Sequence, residues 1–177
     1  MGKEGKTLVL MGPMGCGKSA IGQLLATELG WPFHDADDFH PEANVEKMRA
    51  GIALNDEDRI PWLKRLRDEI QLLVMNKKNT IFACSALKQS YRDELGVNQK
   101  TVKTVYLKGS YNLLRKRVEQ RQHPYMDNNL LRSQLNALEE PQNGLWVDIS
   151  PAPETIVSTI IKALNLTRTS RNLPNEK

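Results

Sequence analysis

Cysteine is scarce in this sequence: Cys16 and Cys84 are the two in 177 residues. Two thiols make no disulfide framework, and no Cys/His cluster has metal-ligand spacing. A reducing, cytoplasmic setting is therefore expected. Long apolar runs are also missing. No stretch approaches the roughly 20 apolar residues of a membrane span, so no membrane partner is expected. Residues 1–6 are short and polar, without the apolar run and small-residue cleavage site of a secretory leader. Aromatic residues are only 6% of the chain and are not interleaved with the basic ones, which argues against a nucleic-acid surface.

What remains is an ordinary globular composition, 40% apolar and 26% charged, at a length suited to one domain. The net charge of +4 is unevenly spread. Asp35, Asp37, Asp38, Glu42, Glu46, Asp56, Glu57 and Asp58 crowd an early segment. Lys100, Lys103, Lys108, Arg115, Lys116, Arg117, Arg121 and Arg132 crowd a later one. Two solvated faces would account for this. So would a metal-and-hydroxyl side facing a phosphate-neutralising side.

Short apolar runs at residues 7–11, 80–84, 101–107 and 145–149 read as buried strands, and 31–34 as another. Between them, apolar residues recur at helical spacing. Ala20, Ile21, Leu24, Leu25 and Leu29 form one stripe, stopped by Gly30, and Ile60, Leu63, Leu66, Ile70 and Leu73 form another, capped by Asn55 or Asp56. Further helices are expected over 41–50, 86–95, 111–119, 130–138 and 153–164, with a polar loop over 122–129. Strands alternating with helices predict an α/β fold, a five-stranded parallel sheet covered by helices on both faces. One domain spans 1–166, and the tail 167–177, lacking a core pattern, is expected to be disordered. Ligands in such sheets bind beyond the carboxyl ends of the strands.

Gly12-Pro13-Met14-Gly15-Cys16-Gly17-Lys18-Ser19 fits G-x-x-x-x-G-K-[ST] without mismatch, between a strand and a helix. Glycines let backbone N–H groups curl around phosphates, and the helix turns its positive end toward the same anion. Lys18 reaches the β- and γ-phosphates, the Ser19 hydroxyl ligates Mg²⁺, and Cys16 is a spacer. ATP and Mg²⁺ follow as expected cofactors.

No acid closes the third strand, which runs Ala83-Cys84-Ser85-Ala86. The nearest strand-end acids are Asp35 and Asp37. At i and i+2 in an extended segment they share a face, so one can serve the metal while the other takes a substrate hydroxyl proton. The alternative is that Asp35, Asp37 and Asp38 cap the following helix, but capping uses one of them and leaves the others over. Arg117 and Arg121, at i and i+4, share a helix face that runs into the loop around Pro124, as a lid closing over ATP would require; a solvated basic surface is the plainer alternative. Arg59 and Arg92 follow strand-end segments and would suit an acidic substrate, since arginine grips a carboxylate with two parallel bonds; surface salt bridging is the plainer alternative for each. His40 and His123 read as polar surface and Trp62 as core.

These motifs resemble the small P-loop gluconokinase family. The resemblance rests on the phosphate loop, His34-Asp35-Ala36-Asp37-Asp38-Phe39-His40-Pro41, Asn44-Val45-Glu46-Lys47-Met48, Asn55-Asp56-Glu57-Asp58-Arg59-Ile60-Pro61-Trp62-Leu63, Cys84-Ser85-Ala86-Leu87-Lys88, Tyr91-Arg92-Asp93 and Ser133-Gln134-Leu135. It runs over about residues 7–164 and extends to shikimate kinases and the nucleoside-monophosphate-kinase-like group. It implies phosphorylation of D-gluconate to 6-phospho-D-gluconate by MgATP, in a cytoplasmic homodimer. Asp37 would then face the substrate hydroxyl and Asp35 the metal with Ser19. Arg59, Lys88 and Arg92 would bind the acid, Arg117 would lie on adenine, and Arg121 would act from a lid at about 118–130. The lid departs from the family pattern at Gln122-His123-Pro124-Tyr125-Met126, and the phosphate loop departs at Pro13-Met14. A shikimate-type acceptor, another sugar acid and a non-catalytic nucleotide-binding domain are the competing readings.

Overall fold

Strand β1 (Thr7–Met11) is buried along its whole length, with Leu8 and Leu10 in the core on one side of a sheet and Val9 and Met11 in the core on the other. That double burial explains the uninterrupted apolar run, since a strand covered on both faces has no polar side. The computed structural model describes residues 4–121 and 128–169. Five parallel strands form one sheet in the order β2-β3-β1-β4-β5, completed by β2 (Phe33–Asp35), β3 (Thr80–Ala83), β4 (Val102–Lys108) and β5 (Leu145–Asp148). β1 pairs with β3 from Thr7–Thr80 to Leu10–Ala83, and with β4 from Thr7–Val102 to Met11–Tyr106.

One face is covered by α1 (Lys18–Leu29), α5 (Tyr111–Gln120), α6 (Asn128–Ala137) and α7 (Pro153–Ala163), through Ile21, Leu25, Leu114, Leu131 and Ile160 among others. The other is covered by α3 (Asp56–Met75) and α4 (Gln89–Glu94), through Trp62, Leu63, Leu66, Ile70, Tyr91 and Leu95. A short α2 (Glu42–Arg49) lies between β2 and α3. Among the described residues no helix is long and apolar enough to cross a membrane.

The expected five-stranded parallel sheet with helices on both faces is present, with three local differences. Ile60, counted in the α3 stripe, is 61% exposed. Trp62 takes the inward position, because its indole N–H donates to the Ala36 carbonyl at 2.7 Å. The expected 86–95 helix begins only at Gln89, because the chain at 84–88 is held open by Arg92 (below). The tail expected from 167 is anchored at its start. Arg168 pairs with Glu28 at 2.9 Å and the Thr169 N–H donates to the Glu28 carbonyl at 3.0 Å. Residues 170–177, and residues 122–127 of the expected lid, including His123, lie outside the described residues.

Candidate active site

β1 is the switch point of the sheet: β3 and then β2 lie to one side of it, β4 and β5 to the other. A crevice at the carboxyl end of such a strand is the usual ligand position in open α/β sheets. The loop that fills it carries Gly12 through Ser19. Gly12 sits at φ 143°, and a Cβ there would stand 2.8 Å from Cys16 Sγ and 3.0 Å from the Leu107 carbonyl. Gly17 at φ 95° forms the N-cap of α1, so its left-handed conformation turns the chain into the helix. Cys16 is fully buried and packs under the loop as a spacer. Lys18 Nζ folds back over the loop, donating to the Gly12 carbonyl at 2.9 Å and the Pro13 carbonyl at 3.1 Å. The Met14 N–H donates to Gln134 Oε1 of α6 at 2.7 Å, and the Gly12 N–H to the Ser85 carbonyl after β3 at 3.2 Å.

Asp35 closes β2 beside this loop. Its Oδ2 lies 3.4 Å from Ser19 Oγ, while Oδ1 accepts from the Asp37 N–H at 3.0 Å. That second bond caps a 3-10 turn over Ala36–Phe39. Asp35 and Asp37 therefore do not share a face by lying in an extended segment, as expected; the turn brings them together, and Asp35 both caps it and faces Ser19. The Ser19 hydroxyl and the Asp35 carboxylate are hard oxygens, a donor set that suits Mg²⁺ with water and phosphate completing its shell. The Asp37 side chain is 81% exposed, with Oδ1 3.6 Å from His40 Nε2. The His40 ring, with the Lys18 ammonium adding, holds the Asp37 carboxyl below the usual carboxylate range.

A second cluster forms where the loop after the carboxyl end of β3 meets the starts of α3 and α4. Lys88 Nζ donates to both oxygens of Asp56, at 3.0 and 2.9 Å, and the Tyr91 hydroxyl donates to Asp56 Oδ1. Arg59 Nη1 lies 3.9 Å from the same oxygen and donates to the Leu54 carbonyl at 2.7 Å. The Tyr91 hydroxyl and Lys88 together push the Asp56 carboxyl down, and Asp56 in turn raises Lys88. Two cations thus meet one carboxylate, leaving one positive charge over. Asp56 and Tyr91 were read only as a helix cap and part of a motif. The signal available was spacing: Lys88 and Tyr91 are three apart, on one side of the start of α4.

Arg92, expected against the acid, is turned inward and only 2% exposed. Its guanidinium donates to the carbonyls of Ala86 (2.7 Å), Leu87 (3.1 Å) and Glu139 (2.8 Å). It braces the loop that carries Lys88, in which Ala86 holds a left-handed φ of 43°. Arg117 lies between Gly17, whose added Cβ would stand 4.0 Å from Arg117 Nη1, and the Ile149 carbonyl, to which Nη2 donates at 2.9 Å. Arg121 is the exposed C-cap of α5, next to the undescribed 122–127. Burial pushes the Cys84 thiol up to about 12, so it stays protonated.

A sequence profile described as shikimate kinase matches residues 14–164. A probable gluconokinase of Dictyostelium discoideum is 40% identical, covering 92% of this chain and 88% of its own length. The crystal structure of a sugar kinase from a Janibacter species superimposes with TM-score 0.82 at 36% identity, covering 92% of this chain and 95% of its own. That of a gluconokinase from Sinorhizobium meliloti does so with TM-score 0.78 at 33% identity, covering 93% and 94%. With these likenesses spanning nearly the whole chain, and with the phosphate loop and strand-end acids in place, the chain belongs to the small P-loop gluconokinase family of shikimate-kinase-like kinases.

Proposed function

We propose that this enzyme transfers the γ-phosphoryl group of ATP to D-gluconate, giving ADP and 6-phospho-D-gluconate. The observation that carries the acceptor is the convergence of Arg59, Lys88 and the Tyr91 hydroxyl on a carboxylate, with Lys88 in the loop after β3, the strand that pairs with β1 beside the phosphate loop. The gluconokinase names of its relatives agree with an acidic sugar there.

The substrate hydroxyl oxygen attacks the γ-phosphorus, the bond to the β,γ-bridging oxygen breaks, and ADP leaves. Asp37 accepts the hydroxyl hydrogen as a bond and then as a proton, which it passes to water. Its depressed pKa keeps it ionised and ready to accept. Gly12, Pro13, Met14, Gly15, Cys16, Gly17 and Lys18 wrap the phosphates, and the Lys18 ammonium follows the transferring group. Ser19 and Asp35 would hold Mg²⁺, which would supply charge neutralisation when bound. Arg59 and Lys88 hold the acid's carboxylate with the charge Asp56 leaves over. Arg92 acts at one remove, by shaping the loop under Lys88. Arg117 borders the adenine, and Arg121 neutralises phosphate charge from the lid. A cytoplasmic homodimer completes the reading.

The test is ADP release in a coupled assay with MgATP across D-gluconate, shikimate, other aldonic and uronic acids and a nucleoside monophosphate. Turnover concentrated on D-gluconate is expected, and Lys18→Ala should lower kcat by about 10²-fold or more. Turnover only with another acid would overturn the acceptor. Near-normal turnover in Lys18→Ala would overturn the phosphate cradle.

A further inference from the structure

His40 was expected to be polar surface, yet its side chain is only 5% exposed. The ring stacks on Trp62, centroids 4.4 Å apart and planes 15° from parallel. Trp62 is itself tied to the Ala36 carbonyl inside the 3-10 turn that carries Asp37. A histidine locked this firmly beside a carboxylate has a defined proton arrangement, and its neighbour Asn44 reveals which.

Asn44 is buried, at 3% exposure. Its Nδ2 lies 2.8 Å from the Asp58 carbonyl, an atom that can only accept. The amide must therefore turn its NH₂ that way, because the flipped amide would set oxygen against oxygen. The same Nδ2 lies 3.2 Å from His40 Nδ1, so its second hydrogen is available to the ring. His40 Nδ1 then accepts. An imidazolium would place two donors face to face, and a neutral ring that accepts at Nδ1 carries its one proton on Nε2. Nε2 is the atom that faces Asp37 Oδ1 at 3.6 Å. That is just beyond hydrogen-bond range, and a small rotation of the exposed carboxylate closes it. The Asp58 carbonyl is fixed in turn, since the Asp58 side chain bonds Lys47 at 2.6 Å and the Asn55 N–H at 3.0 Å.

We infer that His40 is a positioning residue for Asp37, held by Asn44 as the neutral tautomer protonated on Nε2, so that one Asp37 oxygen is fixed and the other is left for the acceptor hydroxyl. This rests on the reading of Asp37 as the acceptor-side carboxylate. It also gives the spacing His40-Pro41-x-x-Asn44, and the distant Asp58 and Trp62, one shared purpose.

The first measurement is a long-range ¹H–¹⁵N spectrum of the native chain, with the His40 signals assigned by their loss in His40→Phe. Nδ1 should appear as the unprotonated acceptor and Nε2 as protonated; a proton on Nδ1 overturns the inference whatever the variants do. The second is kinetics of His40→Phe, which keeps a ring against Trp62 but has no donor. Its kcat should fall about tenfold, the worth of one hydrogen bond to a charged group, with KM for MgATP unchanged. His40→Gln, whose amide can place a donor near the Nε2 position, should recover part of that loss. Adding His40→Phe to Asp37→Asn should cost nothing further. Wild-type kcat in His40→Phe, with Asp37→Asn inactive, overturns this inference alone. An active Asp37→Asn overturns the reading of Asp37 beneath it.

Discussion

At the residue scale, the proposed acceptor side is governed by a charge count. Lys88 and Arg59 bring two positive charges to Asp56, which cancels one. Removing either cation should leave no net attraction for an acid. Arg59→Ala and Lys88→Met should each raise KM for gluconate about tenfold or more while leaving KM for MgATP unchanged. Initial-rate kinetics with each substrate varied will show it; a change confined to MgATP would count against the clamp. The cluster also has a pH signature. The Asp56 carboxyl is held below the usual carboxylate value by the Tyr91 hydroxyl first and Lys88 second. A depressed acid contributes stability that is fully present above the unfolded carboxylate pKa and is lost as pH falls through the lower, folded one. The pair should therefore persist when pH drops to about 4, where free aspartates titrate. A carboxyl-carbon NMR titration of Asp56 should give a midpoint below that value and an upward move in Tyr91→Phe.

At the scale of elements, the helix ends do the positioning. α3 starts with a capping box: Asn55 Oδ1 accepts from the Asp58 N–H at 2.8 Å, and Asp58 Oδ2 accepts from the Asn55 N–H at 3.0 Å. The sequence had allowed Asn55 or Asp56 for this role, and the structure frees Asp56 to meet Lys88. Asn55→Ala should cost about 1 kcal/mol, read from the urea midpoint, and should raise KM for gluconate because Asp56 and Arg59 lie in the first turn that the cap holds. The loop after β3 needs a different support. Ala86 in the left-handed region costs about 1–2 kcal/mol, and the three carbonyls gripped by Arg92 hold it there. An arginine in a short helix soon after a strand end reads as a substrate ligand in sequence. Burial alone shows that it faces inward.

At the scale of the whole molecule, α6 and the residues just after it join the phosphate loop to the loop after β3. Gln134 on that helix accepts from the Met14 N–H of the phosphate loop. Just after it, the Glu139 N–H donates to the Leu87 carbonyl at 2.8 Å and Glu139 Oε2 accepts from the Gln89 N–H at 2.7 Å. The stretch from Gln134 to Glu139 thus touches both the phosphate loop and the loop under Lys88. Gln134→Ala should raise KM for MgATP about fivefold, the worth of one hydrogen bond that shapes the cradle. Isothermal titration with a non-hydrolysable ATP analogue would measure the same change without turnover.

Local patterns were enough for the strands, most helices and the phosphate loop. A continuous apolar run has one use in a parallel sheet, and G-x-x-x-x-G-K-S between strand and helix has one ready mechanism. Those signals lie within a few residues of each other, so fold class, phosphate cradle and strand-end acids were legible in the sequence alone. The partners of Asp37 and Asp56 were decided only by the tertiary structure. His40 reaches its setting through Trp62 and Asp58, and Asp56 meets Lys88 across 32 residues of chain. Such contacts depend on how α3 and α4 lie against the sheet. No local period or propensity encodes that, because packing geometry is a property of the assembled core.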